Sequence, residues 1–300
     1  MNLFEIESRF NRDGFVKLDA VLSSDELDLL RSETAQLIDA GWQGKEPPQH
    51  YFHAADSKTG EEVFHRVQFL FPKSGRQPNP YLALLGHPKL LAVAAKLFEG
   101  FHFGLSGEAL VFKTPRNGRP VPLHCDGMEW SPDLKPHEIF FNIGVYLDDS
   151  TPENGCLLAA PGSHLHPASE LIRQKGFEFP GLQEIPAKAG DVIIHNTRLV
   201  HGSHASRSPA LRRTLYYEFR TLEWMVSPEH ALAMGVDPHA LKLWIEARAR
   251  LLQHAIGVRK ACTFAHTEPH FNYVVPEWLE RSTSPVGALN LAPSFGGAYF

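Results

Sequence analysis

The densest run of chemistry-bearing residues in this chain is Pro122-Leu123-His124-Cys125-Asp126-Gly127. In an extended strand, residues i and i+2 project to the same face. His124 and Asp126 therefore present an imidazole and a carboxylate side by side, while Cys125 points the other way as a packed thiol. A second histidine, His201, lies 75 residues after Asp126, in an apolar run that ends LVHGSHAS. Two histidines and one carboxylate form the facial set that holds non-haem Fe(II) and leaves octahedral positions open. Alone, His-x-Asp is a short motif that chance also produces as a polar pair at a strand end. Arg212 follows His201 by 11 residues, in RRTLYYEF. If this run is the next antiparallel strand, one of Arg212 and Arg213 faces the interior. A buried arginine without an acidic partner is costly, and a ligand carboxylate bound in two-point fashion relieves that cost. Ser203 shares the strand face of His201, where it either donates a further hydrogen bond or caps a turn.

These residues need elements to place them. GFVKLDAV (14–21) alternates as a short strand. Ser23-x-x-Glu26 is a capping box opening a helix to about Ala40. Residues 44–62 are polar and contain Pro and Gly, which predicts a loop. FHRVQFLF (64–71) alternates, and HPKLLAVAAKLFEG (87–100) carries Pro88 near a helix start and Gly100 at its end. From about 101 to 221, β-rich runs alternate with the turn clusters TPRNGRP, DDSTPENG, PGSHLHP and PAKAGD. Short strands with Gly/Pro turns predict a sandwich or jelly roll. Asp237-Pro238 then opens a helix through HALKLWIEARARLLQHAI. The expected organisation is one domain over 1–300. Its mainly β core (about 101–221) has a helix-and-strand cover at 1–100 and a helical extension at 222–300.

Composition narrows the function. The 300 residues carry 29 Lys+Arg and 34 Asp+Glu, a net charge of −5, with no basic block, which argues against nucleic-acid binding. No apolar run approaches the ~18 residues of a membrane span, and no secretory signal is expected from the opening residues. Three scattered cysteines do not make a disulfide framework, and a cytoplasmic setting is expected.

Several segments, taken in order, carry a more specific signal. They are FNRDGFVKLDAVLSSDEL, VFKTP ahead of PLHCDG, LDDSTPENGCLLAAPGSH, PAKAGDVIIH and HGSHASRSPALRR. Over roughly residues 8–220 the chain resembles the phytanoyl-CoA dioxygenase family of Fe(II)/2-oxoglutarate oxygenases. The resemblance implies a double-stranded β-helix core of the jelly-roll, cupin-like kind. It also implies iron ligation by His124, Asp126 and His201, and binding of the 2-oxoglutarate C5 carboxylate by Arg212. Ser203 and Asn142 are implied as further co-substrate contacts; for Asn142 a one-residue slip in 138–147 would turn the side chain outward. Cys125 stands where Gln or Trp is frequent in relatives, and Ser206 where Asn is common. Related halogenases replace the carboxylate ligand with a small residue, so Asp126 favours hydroxylation-type chemistry.

The expected activity is hydroxylation of a C–H bond in a small-molecule metabolite. Fe(II), 2-oxoglutarate and O2 take part, and succinate and CO2 are released. The same cofactors would also serve oxidative cyclisation, desaturation or epimerisation, and a non-catalytic metal-binding jelly roll is the third possibility. His65 and Arg66 are substrate-side candidates on a strand that could cover the barrel mouth, and Trp130 is a candidate pocket wall. His195 reads as structural or near the surface. His164 and His166 read as surface-loop residues despite their i, i+2 spacing. His266 to His270 is not a zinc-protease helix, because Pro269 would break it. Oligomeric state is open: the apolar face of the last helix suits packing on the barrel or on another subunit.

Overall fold

The computed structural model describes residues 1–44, 51–55, 62–115, 118–127, 131, 133, 138, 140–235 and 237–279. Helix α1 (Leu3–Asp13) opens with an Asn2–Glu5 capping box and closes at Gly14, whose φ of 81° suits glycine. Strand β1 (Phe15–Leu18) follows. Helix α2 (Ser24–Trp42) begins at the predicted box, with the Glu26 amide donating to Ser23 Oγ and the Ser23 amide to Glu26 Oε2.

The remaining strands are β2 (Tyr51–Ala55), β3 (Glu62–Gln68), β4 (Phe103–Lys113), β5 (Val121–His124), β6 (Phe141–Tyr146), β7 (Leu157–Ala159), β8 (Gln183–Ile185), β9 (Val192–Asn196), β10 (His201–Ser203) and β11 (Arg212–Thr221). The helices are α3 (Pro80–Leu85), α4 (Pro88–Leu97), α5 (Ser169–Lys175), α6 (Leu222–Met225), α7 (Pro228–Met234) and α8 (Pro238–Lys260). One sheet has the order β1-β9-β6-β11-β4-β3-β2 and the other β5-β10-β7-β8. The non-sequential orders and antiparallel pairings are those of a jelly roll.

Two compact units are present. The first comprises Met1–Gln68, Glu108–Leu134 and Phe141–Tyr216; the second comprises Phe69–Gly107, Lys135–Phe140 and Tyr217–Phe300. In the first, β6 is buried along its whole length, and Phe10 of α1 packs edge-on against Phe141 at 5.8 Å. In the second, Tyr217 donates its hydroxyl to the Tyr81 carbonyl, and the Gly86 turn lies directly against the α8 backbone at Ala255. Asp237 caps α8 by accepting the His239 amide. Among the described residues, no helix is long and apolar enough to cross a membrane.

Three differences from the sequence reading have a common cause. The stretch 44–62, expected as a loop, contains β2, which pairs with β3 from Tyr51↔Val67 to Ala55↔Glu62. Helices α3 and α5 are only six and seven residues long, too short for periodicity to register. Such short elements hold through partners distant in sequence rather than through their own pattern.

Arg213 shows how β11 is anchored. Its Nε and Nη2 each lie 2.8 Å from an Asp148 oxygen, and its Nη1 donates to the Arg31 carbonyl of α2. Removing one member of such a shielded pair leaves the other uncompensated. Asp148→Ala is expected to destabilise the protein by about 3 kcal/mol in urea denaturation. A loss below about 1 kcal/mol would show the pair to be as weak as a surface one.

Candidate metal centre

Strands β5 and β10 run antiparallel with His124 and His201 in direct register. This pairing sets the two imidazoles side by side, 4.3 Å between ring centroids. The ring orientations follow from backbone partners. His124 Nδ1 donates to the Pro122 carbonyl at 2.8 Å, and His201 Nδ1 to the Leu199 carbonyl at 2.9 Å. A carbonyl can only accept, so Nδ1 carries the proton in each ring. A neutral ring then has its lone pair at Nε2, the tautomer a metal ligand needs.

Both Nε2 atoms face Asp126. His124 Nε2 is 3.2 Å from Oδ1 and His201 Nε2 is 3.4 Å from Oδ2. Ligand atoms of His124, Asp126 and His201 all lie within 4.8 Å of one another, close enough to share one ion. Gly127 allows the turn after Asp126 to close. Its amide donates to the Thr197 carbonyl at 2.9 Å, and a Cβ there would meet Thr197 Oγ1 at 2.5 Å.

Charge at the site is polarised. Burial would raise the Asp126 carboxyl, but His201, His124 and His195 outweigh it and hold it well below the usual carboxylate range. Burial pushes His201 down to about 3, with His124 and His195 adding to the fall against Asp126. Burial also lowers His124, but Asp126 overcomes this and raises it above its ordinary value. An ionised carboxylate beside a neutral imidazole is the protonation state in which a divalent ion binds.

His195 departs from expectation. It is 2% exposed on β9, and its Nε2 lies 3.1 Å from Asp126 Oδ2. Asn142 faces inward on β6, directly opposite His195 in register, and its amide donates to the same oxygen at 2.7 Å. No local motif marks His195; only the β6–β9 register brings it to the site. His164 is likewise buried rather than on a surface loop, with a ring nitrogen 3.2 Å from the Asn11 carbonyl.

The two arginines separate by strand parity. Arg213 faces α2 and Asp148. Arg212 is 4% exposed and donates to the Gly155 carbonyl, while its Nε has no partner. The TPENG turn presents that carbonyl. Asn154 Oδ1 takes the Thr151 amide at 2.7 Å, and Gly155 has a φ of 73° with no room for a Cβ against the His204 carbonyl. Thr214 and Tyr216 share Arg212's parity, and Thr214 Oγ1 is buried without a hydrogen-bond partner.

Sequence reading also missed Lys113, at the end of β4. It is 3% exposed, and its ammonium donates to the Arg119 carbonyl at 2.6 Å. Burial, then the charges of Arg212 and Arg119, push it down to about 6. Among the described residues, neither Lys113 nor Arg212 has a carboxylate within ion-pair reach. A buried guanidinium with an unpaired Nε beside a buried lysine amine is an arrangement that suits an anionic group. The signal available in sequence was a lysine closing the apolar run ALVF.

Ser203 is buried on β10, two residues beyond His201. His65 and Arg66 lie on β3, where Arg66 stacks over Phe52 at 5.6 Å and His65 Nε2 is 3.4 Å from Arg119 Nη1. Cys125 packs with Leu123, Ala168 and Val200, and its thiol donates to the Arg198 carbonyl. Trp130 lies outside the described residues.

Comparison with known proteins bears on this arrangement. The family model for phytanoyl-CoA dioxygenase matches residues 10–214. The chain belongs to the phytanoyl-CoA dioxygenase family. It is therefore an oxygenase of the jelly-roll kind, as the fold already indicated. Ectoine dioxygenase of Stutzerimonas stutzeri is 23% identical over 249 residues, covering 73% of this chain and 77% of that protein. The crystal structure of AviO1 from Streptomyces viridochromogenes Tue57 is 30% identical with a TM-score of 0.60, covering 73% of this chain and 95% of that one. The epimerase SnoN, solved with Fe3+, alpha ketoglutarate and nogalamycin RO, is 23% identical with a TM-score of 0.57, covering 73% and 83% of the two chains.

Proposed function

We propose that this oxygenase uses Fe(II), 2-oxoglutarate and O2 to hydroxylate a C–H bond of a small polar metabolite. One observation carries this most directly. Two Nε2 lone pairs and one carboxylate converge within 4.8 Å, in the same unit as a buried arginine that lacks an acidic partner. The donor set suits Fe(II), with open positions for co-substrate and O2. His124, Asp126 and His201 would hold the ion. Arg212, with Lys113 beside it, would bind the far carboxylate of 2-oxoglutarate, with Ser203 and Asn142 as further contacts. Bound iron would couple oxidative decarboxylation of 2-oxoglutarate to oxidation of the substrate.

The protein's own contribution is orientation. Backbone carbonyls fix the tautomers of His124 and His201, and the cation pair sets the co-substrate's direction. Arg66 and Arg119 make the β3 side electropositive, with His65 held neutral by burial and by those charges, which favours a substrate carrying an anionic group; Trp130 remains a candidate wall. Cytoplasmic placement fits three cysteines that form no disulfide.

The test is anaerobic titration of purified protein with Fe(II) and 2-oxoglutarate, followed by a metabolite panel scored for succinate. The expected result is a weak visible metal-to-ligand charge-transfer band and substrate-dependent succinate. Absence of the band in folded, iron-loaded protein would overturn the proposal. Product mass separates the outcomes: hydroxylation adds one oxygen, desaturation or cyclisation removes two hydrogens, and epimerisation changes nothing. Iron binding without 2-oxoglutarate consumption on any compound would favour a metal-binding module.

A further inference from the structure

We propose that Arg119 holds an oxyanion of the substrate, so that this oxygenase selects a carboxylate- or phosphate-bearing metabolite over its neutral analogue. This names a substrate class for the oxygenase proposed above and rests on that assignment.

The backbone around Arg119 is tightly fixed. The Gly118 carbonyl accepts the Ser206 amide at 2.7 Å. A Cβ at Gly118 would meet Lys113 Cβ at 2.7 Å and Ser206 Cβ at 2.9 Å, so glycine is what lets the chain pass there. The Arg119 carbonyl then accepts from Lys113 Nζ at 2.6 Å. Its guanidinium is half-buried, with Nη1 3.4 Å from His65 Nε2. A guanidinium only donates, so that nitrogen of His65 accepts. Burial, then the Arg119 charge, keeps the ring neutral by pushing it down to about 4. Among the described residues, Arg119 meets this neutral ring and no carboxylate within ion-pair reach.

Strand β3 joins this position to the metal site. Phe52 of β2 stands opposite Arg66 and His53 opposite Phe64, so His65 is the extra residue of a β-bulge. A bulge re-aims side chains next to a site. Arg66 stands opposite Val111 of β4 and therefore shares the face of Lys113, two residues further on. The Arg66 charge is felt at His124, whose protonation it opposes. The part of β3 that meets Arg119 thus also borders the metal ligands.

Counting charges selects the substrate. 2-Oxoglutarate has two carboxylates. In the assignment above the far one belongs to Arg212 with Lys113, and the near end belongs to the metal. Arg119 receives no anion from the co-substrate. A guanidinium partly withdrawn from water is relieved by an oxyanion bound in two-point fashion. An amide or ester in the same place leaves the charge uncompensated, so the neutral analogue is selected against.

The first test uses metal-free protein titrated with inorganic phosphate and, separately, with acetate, while the His65 ring protons are followed by NMR. A saturable shift is expected, and it should persist in Arg212→Ala. Arg119→Met should weaken it about 10–100-fold, the worth of hydrogen bonds to a charged group. Arg119→Lys should recover part of it, and carries the comparison if Arg119→Met misfolds. The anion that binds more tightly tells phosphate from carboxylate. The second test reads 2-oxoglutarate affinity of the Fe(II) protein, which Arg119→Met should leave near wild type. The third scores acid and amide pairs of a metabolite panel for succinate. Acids should lead in kcat/KM by about 10–100-fold, and Arg119→Met should collapse that preference.

A His65 ring that ignores both anions would overturn the proposal, as would a shift undiminished in Arg119→Met. So would equal turnover of acids and amides. A 2-oxoglutarate affinity that falls in Arg119→Met as far as in Arg212→Ala would give Arg119 to the co-substrate instead. A His65 shift in a protein that forms no Fe(II)/2-oxoglutarate band would overturn the iron assignment, and the substrate role with it.

Discussion

Asp126→Ala and His201→Ala are each expected to lose the Fe(II)/2-oxoglutarate band and to reduce turnover by more than about 100-fold. Outer partners of a metal ligand are worth about 10–100-fold, so the ligands themselves set a larger effect. The two variants should differ in stability. Asp126 accepts from Asn142 and His195 and faces both His124 and His201. Its removal leaves inward-facing donors unpaired, a cost of about 1–3 kcal/mol for each. Asp126→Asn should recover part of that stability without recovering the band. His201→Ala removes a ring that donates only to the Leu199 carbonyl, and should cost less in stability for the same loss of metal. A chelator added to wild type should reproduce the loss of the band, and Fe(II) should restore it. Full turnover in His201→Ala would place the metal elsewhere.

The second large effect concerns the co-substrate. Arg212→Ala should raise the 2-oxoglutarate dissociation constant by about 10–100-fold, the worth of one or two hydrogen bonds to a charged group. Turnover at saturating 2-oxoglutarate should change far less. Lys113 adds a pH dependence whose sign is fixed. Without co-substrate it is pushed down to about 6 by burial, then by Arg212 and Arg119. The groups facing it are those two arginines and His65, with no acid among them.

Above pH 6, then, Lys113 is mostly neutral in the free protein and must take up a proton to pair with an arriving carboxylate. Affinity for 2-oxoglutarate should weaken as pH rises from 6 to 8, by at most about tenfold per pH unit. Calorimetric titration in two buffers of different ionisation enthalpy would report the proton uptake. Lys113→Met should flatten the pH profile, and Arg212→Ala should shift it to higher pH by relieving Lys113 of one neighbouring charge. A wild-type affinity constant from pH 6 to 8 would show that Lys113 stays clear of the co-substrate.

Residue type, strand parity and motif order single out His124, Asp126, His201 and Arg212 as candidates before any strand is paired. His124 closes β5 and Asp126 lies in the bend just beyond it, so the nearness that strand alternation predicts is delivered by that bend. The ordered segments from FNRDGF to RSPALRR determine the family, and with it the jelly roll. Capping chemistry at Ser23 and Asp237 set helix starts that the fold retains, because caps are satisfied by neighbours two or three residues away. These are local constraints, and a sequence states them directly.

What only the tertiary structure decided is non-local. Arg212 and Arg213 are adjacent and both buried; their division of labour depends on Asp148 lying opposite one of them, 65 residues away. The anion-fitting arrangement depends on β4 delivering Lys113 beside Arg212, and neither residue's neighbours in sequence announce it. His195 became part of the site because the β6–β9 register places it opposite Asn142. A shift of one residue would turn both side chains away. Register is set by the packing of whole sheets, so the partners of Asp126 could be read only once the strands were paired.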